Sequence, residues 1–280
     1  MSRSARTNLL AYLMVFKYMK VGMEEEKIHA LLKKITLAAD EGELSNIYSL
    51  LSPENIGKPV MAAFVNAHAL NLCCKDVHFL RQLLESDYVF RDGSGMKLLF
   101  RMLGVDPGLN LNGTDFIPQI VKVYAGRSCA LFGTKEPHLD RAAEVMQEKG
   151  VTPVCIMDGF REDNAYLQAA RSQPASLIVL GMGMPKQERV ARLLASNLDH
   201  PCLIICGGAI LDFMSGRVTR APLIFRRLGI EWLYRLAQEP GRLFRRYVIG
   251  NFVFFIRSFS LILSSKRIDE KKCAERKTGG

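Results

Sequence analysis

The chain has 280 residues, of which 49% are apolar and 24% charged, so it can bury a large core and does not belong to the disordered class. Its formal net charge of +10 is concentrated at one end: residues 217–280 hold 15 Lys and Arg against 5 Asp and Glu, whereas residues 1–216 hold 23 of each sign. Such a segment favours an anionic partner, for example phospholipid headgroups, a pyrophosphate or nucleic acid.

The cysteines and histidines give no support for a metal centre. The seven cysteines form no C-x-x-C pair and most lie in apolar runs, which indicates buried thiols in a reducing compartment. The five histidines are scattered, and no D-x-D triplet is present. We therefore expect metal-independent chemistry without a cofactor.

Residues 1–50 are expected to form an N-terminal helical extension. They lack proline, and Ile28, Leu31, Leu32 and Ile35 have helical spacing, so we expect two helices joined near residues 21–22. The apolar run Leu9–Phe16 is followed by lysines and by no small-x-small cleavage site. It is therefore interpreted as a helix rather than an export signal.

Residues 51–216 alternate short apolar runs with amphipathic stretches, which is typical of βαβ units and a parallel sheet. The expected strands are Val60–Val65, Ser128–Phe132, Thr152–Met157, Ser176–Leu180 and Pro201–Cys206. Helices are expected through Leu84 and over residues 138–149, 162–172 and 186–196. The predicted fold class is α/β, with a Rossmann-like parallel sheet flanked by helices, and ligands of such folds bind beyond the carboxyl ends of the strands.

Three segments at strand ends carry candidate functional residues. Gly181–Glu188 has two glycines that permit close backbone approach, and its exposed amides could hold an anion. Cys206–Phe213 supplies the carboxylate of Asp212, which suits hydrogen bonds to ribose or sugar hydroxyls, with helix capping as the alternative. Asp92 lies beside a glycine-rich turn, where it is either a general base or an ordinary turn residue.

Residues 217–280 are expected to form a basic appendage, the third part of the chain. Its longest nearly uncharged stretch, Asn251–Ser265, is interrupted by Arg257 and is shorter than a membrane-spanning helix. Membrane contact is therefore expected to be peripheral, through apolar side chains that could face lipid: Leu243, Phe244, Val248, Phe252 and Phe255.

An ordered series of short motifs runs through most of the chain: Asn66-Ala67-His68, Asp92–Gly95, Asn112–Asp115, Leu131–Gly133, Asp158–Phe160, Gly181–Glu188, Gly207–Phe213, Gly216–Pro222 and Leu228–Leu236. In this order the motifs resemble those of the WecG/TagA/CpsF family of bacterial glycosyltransferases, over roughly residues 60–255. The chain departs from the family pattern at Phe64, where threonine is frequent, and at Asn110, where arginine is frequent.

The resemblance implies an inverting transferase, peripheral on the cytoplasmic face of the cell membrane. It would move a hexose-type sugar from a UDP-sugar to a polyprenyl (undecaprenyl) diphosphate-linked saccharide in exopolysaccharide or cell-envelope polysaccharide biosynthesis. By the family pattern Asp92 is the catalytic base, and the donor contacts are Asn66, Phe160, Gly183, Gln187 and Asp212. The acceptor diphosphate would be held by planar guanidinium groups, those of Arg235, Arg242, Arg245 and Arg246.

Two other functions stay open at this point. The departures at Phe64 and Asn110 suggest a catalytically inactive nucleotide-binding scaffold of the same fold. The basic appendage alone would also fit a nucleic-acid-binding protein. We expect no nucleic-acid partner, because apolar residues interleave with the arginines, and we leave a homo-oligomer open.

Overall fold

The computed structural model describes residues 25–278, with side chains described for residues 25–264. The helix expected at Leu9–Phe16 lies outside these residues. In chain order the first elements are α1 (25–34), α2 (Glu41–Leu50), β1 (Pro59–Val65), α3 (Ala67–Cys73), α4 (Val77–Glu85), β2 (Tyr88–Arg91), α5 (Gly93–Met102), α6 (Gly113–Val123), β3 (Ser128–Gly133) and α7 (His138–Glu148). They are followed by β4 (Thr152–Met157), α8 (Asp163–Ser172), β5 (Leu177–Gly181), α9 (Lys186–Asn197), β6 (Cys202–Cys206), α10 (Ile210–Met214), α11 (Leu223–Arg227), α12 (Glu231–Gln238), α13 (Pro240–Phe244), a π-helical turn (Arg245–Ile249) and α14 (Gly250–Thr278).

The six strands form one parallel sheet in the order β2-β1-β6-β5-β3-β4. The predicted α/β class is therefore confirmed, and each of the five strands expected from the sequence is present within one residue at either end. Strand β2 was not expected. It has only four residues and ends in a buried charged side chain, Arg91, so its apolar signal is short.

The sheet is covered on both faces, which explains its almost continuous apolar strands. In β1 the side chains of Met61, Ala63 and Val65 enter one core cluster with α1, α3, α4 and α9. The alternate residues Val60, Ala62 and Phe64 enter the other, with α2, α6 and α7. This is the period of two that a strand imposes on its side chains.

The described part of the N-terminal segment packs on the core. Ile28, Leu31, Leu32 and Ile35 are all buried in the same cluster as the sheet residues. The amide of Thr36 donates to the carbonyl of Val89 at 2.7 Å, which continues the ladder beside β2. Helix α1 therefore covers one face of the sheet.

The appendage from residue 217 onward packs on α3 and α5 through α14. Phe254 and Leu261 are buried, and Phe254 packs on Gly95, whose missing side chain leaves room for the ring. Asn71 of α3 donates to the carbonyl of Gly250 at 2.7 Å and accepts from Arg257 at 3.0 Å. One face of α14 is thereby docked on α3.

The opposite face of this helical stretch is apolar and exposed. By length and composition Pro240–Ser264 could cross a membrane: an 18-residue window of it has a mean hydropathy of 1.6, and 17% of that window is buried in the protein. In the sequence Arg257 interrupts the uncharged run, but its guanidinium is bonded to Asn71. The charge that interrupts the apolar run therefore points to the protein.

Candidate active site

The candidate site lies at the carboxyl ends of β1, β2, β5 and β6. A pocket of about 180 Å³ opens there between the core and the appendage. Its core lining is Phe64, Asn66, Asp92, Gly113, Thr114, Gly181–Met184, Gln187, Cys206–Ala209, Asp212 and Phe213, and its appendage lining is Arg235, Arg242 and Arg246. The segments that the sequence placed at three separate strand ends therefore share one cavity.

Asn66 and Asp92 are the first residues after two neighbouring strands. Val65 and Arg91 are partners in the β1–β2 ladder, and the amide of Asp92 donates to the carbonyl of Val65 at 2.9 Å. The side-chain amide of Asn66 donates to Oδ2 of Asp92 at 3.2 Å, while its oxygen caps α3 through the amide of Ala69. Parallel pairing thus brings the two side chains into contact.

The carboxylate of Asp92 does not cap a helix. Asp92 stands at the N-cap position of α5 with an extended backbone, yet its side chain makes no capping bond. Burial raises the pKa of its carboxyl, although the bond from Asn66 and the charges of Arg246, Arg235 and Arg91 act to lower it. A desolvated carboxylate with a raised pKa is a better proton acceptor than an exposed one.

The segment Gly93-Ser94-Gly95 serves to seat the appendage. Ser94 donates to the carbonyl of Gly229 at 2.7 Å, and Gly95 is covered by Phe254. Gly93 has a φ of +83°, which a residue with a side chain rarely adopts. The turn beside Asp92 therefore both aims this carboxylate and receives the C-terminal helices.

Arg91 braces the loop behind Asp92. Its side chain is fully buried, and its guanidinium donates to the carbonyls of Pro107 at 3.0 Å and Leu109 at 2.7 Å. Burial lowers the pKa of this guanidinium. Carbonyl acceptors compensate the buried charge and hold the loop that leads to the pocket residues Gly113 and Thr114.

The two glycine-rich strand ends are joined by Gln187. Its side-chain oxygen accepts from the amides of Gly183 at 3.2 Å and Gly208 at 3.0 Å. Both amides are therefore already bonded within the protein, including that of Gly183, which lies in the segment expected to hold an anion. Gly183 does line the pocket, and nothing lies within 4 Å of the side-chain position it lacks.

Asp212 lies in the pocket wall, where it is already partnered. Its Oδ1 accepts from the hydroxyl of Thr134 at 2.7 Å and from Arg217 at 3.1 Å. Asp212 does not cap α10, because no side chain makes a capping hydrogen bond at the start of that helix. The carboxylate and Thr134 together form a polar pair at the ends of β3 and β6.

The appendage contributes arginines with unused hydrogen-bonding capacity. The Nε atoms of Arg235 and Arg246 are buried and have no hydrogen-bond partner among the described residues. The guanidinium of Arg235 lies over the ring of Phe213 at 5.2 Å, and burial lowers the pKa of Arg246. Buried donors without partners are costly, so these two side chains favour an anion in the pocket.

Two predicted site residues lie elsewhere. Arg245 is exposed and is absent from the pocket lining, whereas Arg242 and Arg246, one helical turn apart, both line it. Phe160 is 76% exposed and borders a shallow depression beside β3 and β4 with Lys135, Asp158 and Arg161. Their proposed roles stay predictions.

Sequence reasoning missed several pocket residues. Thr114 and Phe213 lie inside motifs that were recognised, and Thr134, which bonds the pocket residue Asp212, directly follows another, so these motifs were the available signal. Phe64 was noticed as a departure and proves to lie in the wall, with its ring 5.5 Å from Phe90. Within the described residues, no group of three or more His, Cys, Asp or Glu side chains could hold a metal ion.

A comparison with known families agrees with the motif order. The family model described as the glycosyl transferase WecG/TagA/CpsF family matches residues 40–268 of this chain. The matched range includes the whole sheet, Asp92 and Asn66, and the appendage arginines.

Proposed function

The chain belongs to the WecG/TagA/CpsF family of glycosyltransferases, and from that premise we propose that it moves a hexose-type sugar from a UDP-sugar to a polyprenyl-diphosphate-linked saccharide. The observation that carries the proposal is the composition of one pocket. Asp92, whose carboxyl pKa is raised by desolvation, shares this pocket with Arg235 and Arg246, whose Nε atoms have no hydrogen-bond partner among the described residues.

In this proposal Asp92 acts as the general base. It removes the proton from the acceptor hydroxyl while that oxygen attacks the anomeric carbon of the donor, and the bond from that carbon to the UDP oxygen breaks. Attack opposite the leaving group inverts the anomeric centre, so a single base suffices. Asn66 donates to the carboxylate and would hold it in position to accept the proton.

Arg235, Arg242 and Arg246 would hold the acceptor diphosphate beside this base. Guanidinium groups bind phosphate oxygens with two parallel hydrogen bonds, and their strength increases where water is excluded. The Nε atoms of Arg235 and Arg246, which have no hydrogen-bond partner in the described part of the chain, would provide such donors. Arg242 is already paired with Glu239, so its contribution depends on exchanging that carboxylate for phosphate.

The appendage would place this pocket at the inner face of the membrane. The exposed side of α13, the π-helical turn and α14 carries large apolar residues: Phe244, Val248, Ile249, Phe252, Phe255, Ile256, Phe259 and Leu263. An apolar helix face flanked by basic residues suits an anionic lipid surface. A lipid-linked acceptor and a soluble nucleotide sugar would meet there.

The test is a donor screen with and without acceptor. Purified protein is incubated with individual UDP-sugars and a polyprenyl-diphosphate-linked saccharide in anionic vesicles, and released UDP is measured. We expect acceptor-dependent release with one donor and inversion in the product. Saturable UDP binding without turnover for any donor would instead indicate an inactive scaffold, and steeply salt-dependent RNA affinity without UDP preference would indicate a nucleic-acid-binding protein.

A further inference from the structure

Gln187 and Glu188 form a buried polar pair beneath the pocket. Both side chains are fully buried. The amide nitrogen of Gln187 donates to Oε1 of Glu188 at 2.8 Å, while its oxygen accepts from the amides of Gly183 and Gly208. A carboxylate in α9 is thus connected through one side chain to the ends of both β5 and β6.

The hydrogen bonds allow one orientation of the Gln187 amide. If the group were turned by 180°, its nitrogen would face two N–H donors and its oxygen would face the Glu188 carboxylate. Both contacts would be repulsive, because two donors or two acceptors cannot pair. An ionised Glu188 accepts only, so it selects the orientation that joins Gly183 to Gly208.

Glu188 is otherwise an unfavourable residue for this position. Its Oε2 is buried and has no hydrogen-bond partner among the described residues. Burial raises its pKa to about 7. A buried acceptor without a partner lowers stability, so its presence calls for a compensating role.

The two glycines that Gln187 joins present bare backbone to the pocket. Gly183 and Gly208 have φ angles of +81° and +61°, and nothing lies within 4 Å of the side-chain position at either one. Their separation therefore sets the width of this part of the cavity. A change of a few tenths of an ångström there would alter contact with a bound nucleotide sugar.

We propose that Glu188 is a positioning residue. By accepting from Gln187 it holds the amide that spaces the two glycine segments for the donor. The link to the donor rests on the proposed function, whereas the link from Glu188 to the glycine amides does not. Gln187 itself then acts through the backbone rather than as a direct donor contact.

The test compares Glu188→Met, Gln187→Met and the double variant. Amide hydrogen exchange at Gly183 and Gly208 is measured by NMR, with Gly159 as the control because its amide bonds to Thr134 instead. We expect Glu188→Met to accelerate exchange at both glycines by about tenfold or more and to leave Gly159 unchanged. The double variant should match Gln187→Met, since both changes break one connected unit.

Kinetics provide the second measurement. Glu188→Met should raise the KM for the donor about tenfold with kcat changed less than about threefold, and Glu188→Gln should restore the KM, because its oxygen can still accept from Gln187.

Unchanged exchange in Glu188→Met, or additive effects in the double variant, would overturn the proposal. If Glu188→Met does not fold, Glu188→Gln provides the test instead. Fast amide exchange at Gly183 and Gly208 in that variant would also overturn the proposal. Absence of turnover in the unmodified protein would refute the proposed function and leave the exchange result readable.

Discussion

The sheet core and the appendage are built on different principles, although both line one pocket. Nine of the ten residues of β5 and β6 belong to the two closed apolar clusters, and β6 is buried along its whole length. By contrast α11, α12 and the π-helical turn contain no buried residue. The core therefore holds its site residues by its own packing, whereas the appendage depends on contacts with the core and on what binds it.

The largest expected effect comes from the core side of the pocket. Asp92→Asn keeps the shape of the side chain and removes its ability to accept a proton, so we expect kcat to fall by about 10²–10⁴. UDP affinity, measured by calorimetry, should change little. Asp76→Asn is the matched control, because Asp76 caps α4 and asparagine caps equally well.

Retention of full activity by Asp92→Asn would show that the base lies elsewhere. It would also remove the reason for assigning catalysis to the core and anion binding to the appendage.

The next effect tests the appendage through two adjacent arginines. Arg246→Ala removes a buried donor in the pocket, and we expect kcat/KM for the lipid-linked acceptor to fall about tenfold to a hundredfold. Arg245→Ala removes the same charge from an exposed position outside the pocket lining, and it should cost less than about threefold. Equal losses in the two variants would mean that only the general positive charge matters.

A smaller effect is expected at the exposed face of α14. Phe252→Asp combined with Phe259→Asp should weaken retention on anionic vesicles about tenfold or more, measured by flotation at fixed salt. Thermal unfolding should be little affected, because both rings are exposed. Leu50→Asp with Val105→Asp changes two exposed apolar residues of the core region and should leave retention unaltered.

The smallest effect concerns stability and pH. The raised pKa of Asp92 means that the fold favours its protonated form, so this group stabilises the fold at low pH and that contribution is lost as pH rises through its folded pKa. Asp92→Asn should therefore become progressively more stable than the unmodified protein as pH rises. Urea unfolding at several pH values measures the difference, to which Glu188 contributes equally in both proteins.

Much of the core could be predicted because its signals are local. Runs such as Leu177–Leu180 are apolar on both faces, and strand ends followed by glycine indicated where ligands bind. The strand order could not be predicted in this way, since no local pattern states that β6 lies between β1 and β5. That order is what brings Asp92 and Asp212 to one pocket.

Local sequence patterns also could not predict which groups each side chain contacts. The sequence identifies Gln187 as polar and next to glycine, but the amides of Gly183 and Gly208 that occupy its oxygen come from two different loops. Similarly, Arg245 and Arg246 are equivalent in composition, and only their rotation about the helix axis separates an exposed side chain from a pocket residue.

Helix α3 connects the candidate site to α14 over a short distance. Asn66, which bonds Asp92, caps its first turn, and Asn71, near its other end, docks α14 through Gly250 and Arg257. Seven residues of helix extend only about 10 Å. In the proposed membrane orientation, with α14 on the lipid, this short helix would fix the height of Asp92 and keep it close to the acceptor diphosphate.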